Sequence, residues 1–339
     1  MSANLINSQS KLSYNMERPI VVQISDIYYP FLATVGVPAN VLTIIVLARG
    51  NCGLSKCITC YLLSMTVADF LVLLFDVILY EIKNVYFPYS FLNHTPICSL
   101  NLVLIFASID CSVWFTVAFT FDRFVAICCQ KLQTKYCTER TAVIMIGVVT
   151  SLSVLQSIPV YFVYVPREII DNVPWSCYVK TSFYTSPLWA ALMWLRSILT
   201  PFIPFILILL LNALTIRNII LASRVRRGLR GNKTVEKHND PEMENRRKSI
   251  ILLLAISGSF ILLWIVTLIS YVCVHFAEIQ FLAEDYNSPF TILEQSGYML
   301  SVLSSCTNTF IYAVSQRKFR HELYNIFKHP LNLIISLFK

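Results

Sequence analysis

The sequence predicts an all-α membrane protein: a bundle of seven transmembrane helices followed by a short amphipathic eighth helix. Three observations predict this fold class: few charged residues, seven long apolar runs, and an uneven distribution of lysine and arginine. Of the 339 residues, 56% are hydrophobic and only 14% are charged. A soluble domain carries about 25% charged residues. Most of the outer surface is therefore expected to face lipid.

Five runs contain no Asp, Glu, Lys or Arg, and two further runs contain only isolated charges. In chain order, the predicted spans cover residues 27–48, 60–80, 97–128, 141–166, 197–216, 249–277 and 295–316. Each run reaches the roughly 20 residues that a helix needs to cross about 30 Å of hydrocarbon. We call them span 1 to span 7.

Lysine and arginine lie mostly on one side of the predicted bundle. If the connections alternate between two sides, the side of the N-terminus holds five of the 27 basic residues and the other side holds twenty. Basic residues concentrate on the cytoplasmic side of a membrane. This predicts an extracellular N-terminus (1–26), a seven-transmembrane domain (27–314) and a cytoplasmic amphipathic helix and tail (315–339). The net charge of +8 then reflects topology, and nucleic-acid binding is not expected.

Two cytoplasmic segments are predicted to contact membrane lipids. Phe319, Leu323, Ile326 and Phe327 recur at helical spacing beside basic residues, which predicts the amphipathic helix in the interface. The loop 217–248 has basic ends around an acidic, proline-bearing middle. Such a loop can contact anionic lipid or an acidic partner, or its charge can serve topology alone.

Motifs in three spans carry a family resemblance. Residues 36–40 read GVPAN, residues 122–124 read DRF and residues 308–312 read NTFIY, and Cys98 precedes Arg123 by 25 residues. In these features the chain resembles the rhodopsin-like (class A) G-protein-coupled receptors, over nearly its whole length. The resemblance implies a plasma-membrane receptor, not an enzyme, that binds an extracellular ligand and activates a heterotrimeric G protein.

The resemblance also assigns roles to residues at the two ends of span 3. It implies a disulfide between Cys98, at the outer start of span 3, and Cys177 in the second outer loop. These are the two clearly exofacial cysteines of the eleven. At the inner end, Asp122, Arg123 and Phe124 form the coupling motif, in which Arg123 pairs with Asp122 and turns towards the G protein on activation.

Between these ends, the resemblance implies an activation core. A sodium ion that favours the inactive state would bind Asp69, and no other cofactor is expected. The predicted sodium and activation residues are Asn40, Asp69, Ser112, Ser304, Ser305, Asn308 and Tyr312. Their oxygen atoms suit a hard cation. The predicted switch between pocket and inner cavity comprises Val113, Pro204, Phe260 and Trp264.

The chain departs from the family pattern at several positions. Val266 and Thr309 replace the prolines of spans 6 and 7, and Asn212 stands where span 5 often has a tyrosine. Arg246 occupies a position that carries glutamate in some receptors, so span 6 offers no acidic latch for Arg123. These departures affect the expected coupling and basal activity, but not the fold.

The predicted ligand pocket combines aromatic and charged side chains. Its residues are Phe106, Asp110, Arg196, Tyr271, Glu294 and Tyr298. Either Asp110 and Arg196 form a structural ion pair that clamps spans 3 and 5, or they bind charged groups of the ligand. Ile105 replaces the aspartate of amine receptors, and span 7 lacks the lysine of a retinal Schiff base.

Two ligand classes suit this mixture and a net charge of −4 on the predicted outer face: a cationic peptide or a zwitterionic aromatic amino acid. Residues 108–117 and 157–161 are similar to a small orphan subgroup of peptide-type receptors, some of which respond to tryptophan and phenylalanine. Asn93 is the predicted exofacial glycosylation acceptor, since the acceptor motif at Asn232 lies on the cytoplasmic side.

The main alternative from another class is a seven-helix transporter or channel without G-protein coupling. Transporters commonly contain inverted repeats and broken helices, and no internal repeat is visible in this sequence. The motifs of membrane hydrolases are also missing from it.

Overall fold

The structure is a computed structural model that describes residues 19–50, 52–229, 241–276 and 288–337. Within these residues, seven long helices pack side by side, as predicted. Spans 1 to 4 are Ile20–Ala48, Lys56–Tyr86, Thr95–Cys128 and Glu139–Val163. Span 5 runs from Pro187–Ser197 through a short wide segment, Ile198–Phe202, into Ile203–Leu229, and spans 6 and 7 are Pro241–Phe276 and Pro289–Ser315.

Local sequence fixes where several spans begin. Ser55, Thr138 and Ser288 each accept a hydrogen bond from a backbone N–H in the first turn of spans 2, 4 and 7. A hydroxyl at this position satisfies one of the N–H groups that have no partner within the helix. Pro96 stands in the first turn of span 3, where its missing N–H costs no hydrogen bond.

Two spans widen into π-helical turns. In span 2 the wide segment is Leu73–Ile82, and in span 5 it is Ile198–Phe202. Thr200 has an extended backbone (φ −150°, ψ 103°), because the ring of Pro201 disfavours the helical conformation in the preceding residue. These irregular turns place Asp76 and Thr200 at the same level of the bundle as the central cavity described below.

Six of the described helices are long and apolar enough to cross a membrane, and the seventh is more polar. Span 7 has 27 residues, so its length suffices, but serine, threonine and asparagine lower its hydropathy. It packs mainly against spans 6 and 1. Its polar residues therefore lie inside the bundle, where they form the sites described next.

The connection between spans 4 and 5 contains four short strands. β2 (Glu168–Ile170) pairs antiparallel with β3 (Val173–Trp175), and β1 (Tyr164–Val165) pairs with β4 (Tyr178–Val179). The turn of the β2–β3 hairpin consists of Asp171 and Asn172, both with positive φ (49° and 61°). Two such residues give the turn whose twist matches the strands.

The predicted eighth helix is present as Arg317–Leu337. Phe319 is buried and its ring lies edge-to-face on Tyr312, with 6.1 Å between centroids. Nη1 of Arg320 donates to the carbonyl oxygens of Ala313 and Val314, both at 2.9 Å. These bonds satisfy backbone groups at the end of span 7 and fix the start of the eighth helix.

Candidate functional site

The structure contains the predicted disulfide between Cys98 and Cys177. A hydrogen bond beside it also joins the start of span 3 to the connection between spans 4 and 5: the Thr95 hydroxyl donates to the Ser176 carbonyl at 2.8 Å. The rings of His94 and Trp175 meet edge-to-face at 4.6 Å. We call this end of the bundle the disulfide end, and the opposite end of span 3 the Arg123 end.

Asn93, the predicted glycosylation acceptor, is buried in the turn that follows span 2. Only 9% of its surface is exposed, and its amide nitrogen, which would carry the glycan, donates to the Pro88 carbonyl. The Lys83 ammonium donates to the amide oxygen. The acceptor motif is a local pattern, whereas the burial of Asn93 comes from the packing of the turn that follows span 2.

A central cavity lies between spans 2, 3, 5, 6 and 7 towards the disulfide end. Its volume is about 80 Å³. Four of the six predicted ligand residues line it: Phe106, Arg196, Tyr271 and Tyr298. The switch residue Trp264 and three of the predicted sodium residues, Ser112, Ser304 and Ser305, line it as well. The cavity therefore joins the predicted pocket to the predicted activation core.

Asp110 and Arg196 contact each other beside this cavity. Nη2 of Arg196 donates to Oδ1 of Asp110 at 3.2 Å, and Nε2 of Gln156 donates to Oδ2 at 3.3 Å. The guanidinium also stacks on the Phe106 ring, 4.1 Å from its centroid. Asp110 is only 1% exposed. Spans 3, 4 and 5 are thus joined through one carboxylate.

Arg196 keeps one unused donor in this arrangement. Its Nη1 is buried and has no hydrogen-bond partner among the described residues. The ion pair therefore leaves part of the guanidinium buried without a hydrogen-bond partner.

Glu294 is placed differently from its prediction. It does not line the central cavity, although it lies within electrostatic range of Tyr271. Asp76 of span 2 lies beside the cavity, because its Oδ1 accepts a hydrogen bond from the hydroxyl of the lining residue Tyr298 at 2.5 Å. Asp76 is fully buried. Asp76 was not among the residues predicted from the sequence, although a carboxylate inside a span is costly and is usually functional or paired.

Two of the residues predicted for sodium, Ser112 and Asn308, contact Asp69, which is fully buried. Its Oδ1 accepts from the Ser112 hydroxyl at 2.5 Å, and its Oδ2 accepts from the Asn308 amide at 2.8 Å. The Asn40 amide donates to the Ser305 carbonyl at 2.9 Å. Within the described residues, no group of three His, Cys, Asp or Glu could hold a metal. A hard monovalent cation would instead use one carboxylate with hydroxyl oxygens, and this donor set fits that requirement.

The predicted switch residues form one packed cluster at the centre of the bundle. Val113, Phe260 and Trp264 are buried together with Phe205 and Ile208. The rings of Phe260 and Trp264 stack with 5.3 Å between centroids. Trp264 also donates from Nε1 to the Ser304 hydroxyl at 3.2 Å. Pro204 is buried next to Phe205, so all four predicted residues lie in this region.

At the Arg123 end, Arg123 is held by its neighbour Asp122. Nε of Arg123 donates to Oδ2 of Asp122 at 2.9 Å, and Nη2 donates to the same oxygen. Nη1 reaches the Ser249 hydroxyl of span 6 at 3.4 Å. Both residues are 5% exposed, and Phe124 beside them is half-buried. Span 6 therefore contacts Arg123 through the neutral Ser249 hydroxyl and not through a glutamate.

Two thiols complete the surroundings of Asp122. The Cys57 thiol donates to Oδ1 at 3.2 Å, and the Cys137 thiol lies 3.5 Å from the Asp122 carbonyl oxygen. Cys137 belongs to the connection between spans 3 and 4, and burial, with the nearby Asp122 charge, raises its pKa to about 12. The thiol therefore stays protonated at neutral pH and adds no second negative charge beside Asp122.

Comparison with known proteins assigns this arrangement to a family. The family model for the 7 transmembrane receptor (rhodopsin family) matches residues 39–312. The chain belongs to the rhodopsin family of seven-transmembrane receptors. It is 26% identical over 306 residues to "Neuromedin-U receptor 2" of Rattus norvegicus, covering 88% of this chain and 73% of the relative. For the Mus musculus protein of that name, identity is 25% over 308 residues, with 88% and 74% covered.

Membership of this family decides between a receptor and the other classes of membrane protein. The chain is a multi-pass membrane receptor that signals through a G protein, and it is not an enzyme. The transporter or channel alternative is therefore wrong.

Two departures from the family pattern have structural replacements in this receptor. The Thr309 hydroxyl, at the position of the span-7 proline, accepts a hydrogen bond from Thr43 of span 1 at 3.0 Å. Asn212, which replaces the span-5 tyrosine, accepts from the Ser257 hydroxyl of span 6 at 3.1 Å. At both positions, a hydrogen bond between neutral side chains thus joins two spans of the bundle.

Proposed function

We propose that this receptor lies in the plasma membrane with its N-terminus and disulfide end outside, and that it binds an extracellular ligand in the central cavity. The observation that carries the proposal is the arrangement along span 3. Phe106 lines the cavity, Val113 belongs to the switch cluster, and Arg123 is restrained 17 residues from Phe106, about 25 Å along the helix axis. Ligand binding would repack the cluster and release Arg123 for the heterotrimeric G protein.

The ligand is a cationic peptide or a small zwitterion such as an aromatic amino acid. Aromatic rings suit both classes, Asp110 suits a cationic group, and Arg196 suits the carboxylate of a zwitterion. The cavity of about 80 Å³ is smaller than the about 300–1,000 Å³ of typical ligand pockets. Either ligand must widen the cavity, and the widening would act on Trp264, which lines it. The relatives are named as receptors for neuromedin U; at 26% identity, the ligand named there is one candidate among peptides.

An agonist screen tests the function. Cells that express the receptor would be exposed to the proteinogenic amino acids and to a library of cationic peptides, with dissociation of each G-protein class as the readout. We expect at least one aromatic amino acid or peptide to produce dissociation that Phe106→Ala weakens. Arg123→Ala, matched for surface expression, gives the background. A receptor that never exceeds this background, with or without these compounds, would contradict the proposal.

We also propose that sodium stabilises the resting receptor at Asp69. Sodium at ten times its Kd would raise the free energy of unfolding by about 1.4 kcal/mol. In Asp69→Asn this increase should disappear, because the amide carries no charge. The measurement is the melting temperature of purified receptor in sodium chloride against choline chloride. Asp76→Asn is the matched control, since it removes a buried carboxylate two turns away on the same span. Equal sodium dependence in wild type and Asp69→Asn would refute the site.

The contacts of Arg123 predict basal activity. Asp122→Asn should raise ligand-independent G-protein activation, and every 1.4 kcal/mol removed from the restrained state raises the active population about tenfold. Ser249→Ala should produce a smaller rise, because a neutral hydrogen bond contributes about 0.5–1.5 kcal/mol. Ser259→Ala, on the same helix but bonded to its own backbone, is the control. If Ser249→Ala behaves like Ser259→Ala, the serine does not restrain Arg123.

A further inference from the structure

An open groove runs along the outside of span 5 near the Arg123 end. Its volume is about 510 Å³, within the range of about 300–1,000 Å³ that is typical of ligand pockets. Two arginines and four apolar residues of this one helix line it: Ala213, Ile216, Arg217, Ile220, Leu221 and Arg224. We call it the span-5 groove.

The span-5 groove points away from the bundle. Leu211 and Thr215 are buried on the inward face of span 5. At 3.6 residues per turn, Arg217 lies about 200° around the helix axis from Thr215, and Arg224 lies about 180° from it. Both arginines are exposed and therefore share the face opposite to the buried one, with Ile220 between them. In a membrane this face lies against lipid.

The groove lies at the same level of the bundle as Arg123. Asn212 of span 5 accepts a hydrogen bond from Ser257 of span 6. Ser249, which contacts Arg123, lies eight residues from Ser257 on span 6. Consecutive spans run in opposite directions, so the part of span 5 level with Ser249 lies about eight residues after Asn212, near residue 220. This is the middle of the groove.

The two arginines stand at the edge of the hydrocarbon and call for an anionic partner. The described part of span 5 that is apolar enough to cross a membrane ends at Val225, so Arg224 lies at its edge and Arg217 about 10 Å deeper. Among the described residues, neither arginine has an acidic partner. Deeper still, the same face continues as Leu210 and Ile206, which are 52% and 61% exposed. A bound anion that is continuous with an apolar chain fits this face better than an acidic protein.

We infer that the span-5 groove binds a phosphoinositide, a lipid with a phosphodiester next to its acyl chains and phosphate monoesters farther out on its head group. The deeper Arg217 binds the phosphodiester and Arg224 binds a monoester, because a guanidinium matches phosphate with two parallel hydrogen bonds. The acyl chains continue over Leu210 and Ile206. Basic groups at the inner ends of spans attract anionic lipids of the cytoplasmic leaflet. The inference rests on the proposed function for its orientation, which puts the Arg123 end at this leaflet.

Native mass spectrometry of the full-length receptor with phosphatidylinositol 4,5-bisphosphate tests the inference. Phosphatidylinositol and phosphatidylserine with the same acyl chains are the comparison lipids. We expect the bisphosphate to bind at least about tenfold more tightly than either, because it alone can form charge-assisted hydrogen bonds with both arginines through phosphates at two depths. A photoreactive diazirine in its acyl chain should label the exposed face of span 5 at Leu210 and Ile206.

Single substitutions separate the roles of the two arginines. Arg224→Gln should lower the affinity for the bisphosphate about tenfold and leave that for phosphatidylinositol unchanged, whereas Arg217→Gln should weaken the binding of both lipids. Arg167→Gln, at an exposed arginine of the disulfide end, is the matched control and should change neither. All three substitutions replace exposed side chains, so the melting temperatures should match that of the wild type.

Three results would overturn the inference: equal affinity for the bisphosphate and phosphatidylinositol, equal binding by the wild type and the double variant of Arg217→Gln with Arg224→Gln, or labelling confined to other spans. A double variant that binds the lipid normally but loses G-protein dissociation would show that the groove serves an acidic protein instead. The lipid measurement needs neither an agonist nor a G protein, so its failure is distinguishable from failure of the proposed function.

Discussion

Replacement of Cys98 or Cys177 by serine is expected to lower the free energy of unfolding by about 2–5 kcal/mol or to prevent surface expression. The disulfide closes a chain segment with a sequence separation of 79, and long closed segments gain most from a cross-link because the unfolded chain loses more freedom. It also fixes the connection of four strands over the start of span 3. Surface expression and the melting temperature of the purified receptor measure both effects.

A matched cysteine controls for the substitution itself. Cys128, at the opposite end of span 3, is a free and half-buried thiol, so Cys128→Ser should leave expression and melting temperature near the wild-type values. The double variant Cys98→Ser with Cys177→Ser should match the single variants, because either change breaks the same bond. Mass spectrometry that finds both thiols free in the folded protein would contradict the prediction.

The seven spans could be predicted because hydrocarbon imposes a length and an apolar composition on every helix that crosses it. Their ends were less predictable. Span 1 begins at Ile20 and therefore includes Asp26, whereas the predicted span begins after this charge, at residue 27. Span 5 begins at Pro187 and includes Arg196. A charged residue interrupts the apolar run in the sequence, but the helix continues through it. Other residues of the bundle can interact with the charge.

Contacts at the candidate site differ in how predictable they were. Asp69 and Arg123 stand in motifs, so their positions could be inferred from the family pattern. Gln156 and Ser249 are neutral polar residues, which are ordinary in a span, and their contacts with Asp110 and Arg123 depend on how separate helices pack. Asp76 is the exception, since its charge alone marks it as a residue with a partner inside the bundle.

The ion pair between Asp110 and Arg196 should show strong energetic coupling. The structure places the two groups 3.2 Å apart, with Asp110 almost completely buried. Breaking a buried pair costs about 3–5 kcal/mol because one charge remains without its partner, whereas removal of both charges can be nearly neutral. Asp110→Asn and Arg196→Gln should therefore each lower the melting temperature and expression. The double variant should recover much of both.

The double-mutant cycle separates a structural clamp from ligand binding. If Arg196 binds the ligand instead, Arg196→Gln should reduce agonist potency with near-normal stability, and the double variant would not restore potency. Glu294→Gln is the control for removal of an acid outside the cavity, and it should leave stability unchanged. Gln156 adds a third contact to Asp110, so Gln156→Leu should destabilise the wild type more than the Asp110→Asn variant. If the losses of stability in the two single variants simply add in the double variant, the clamp is refuted. We expect coupling, because Asp110 is buried and water cannot replace its contact with Arg196.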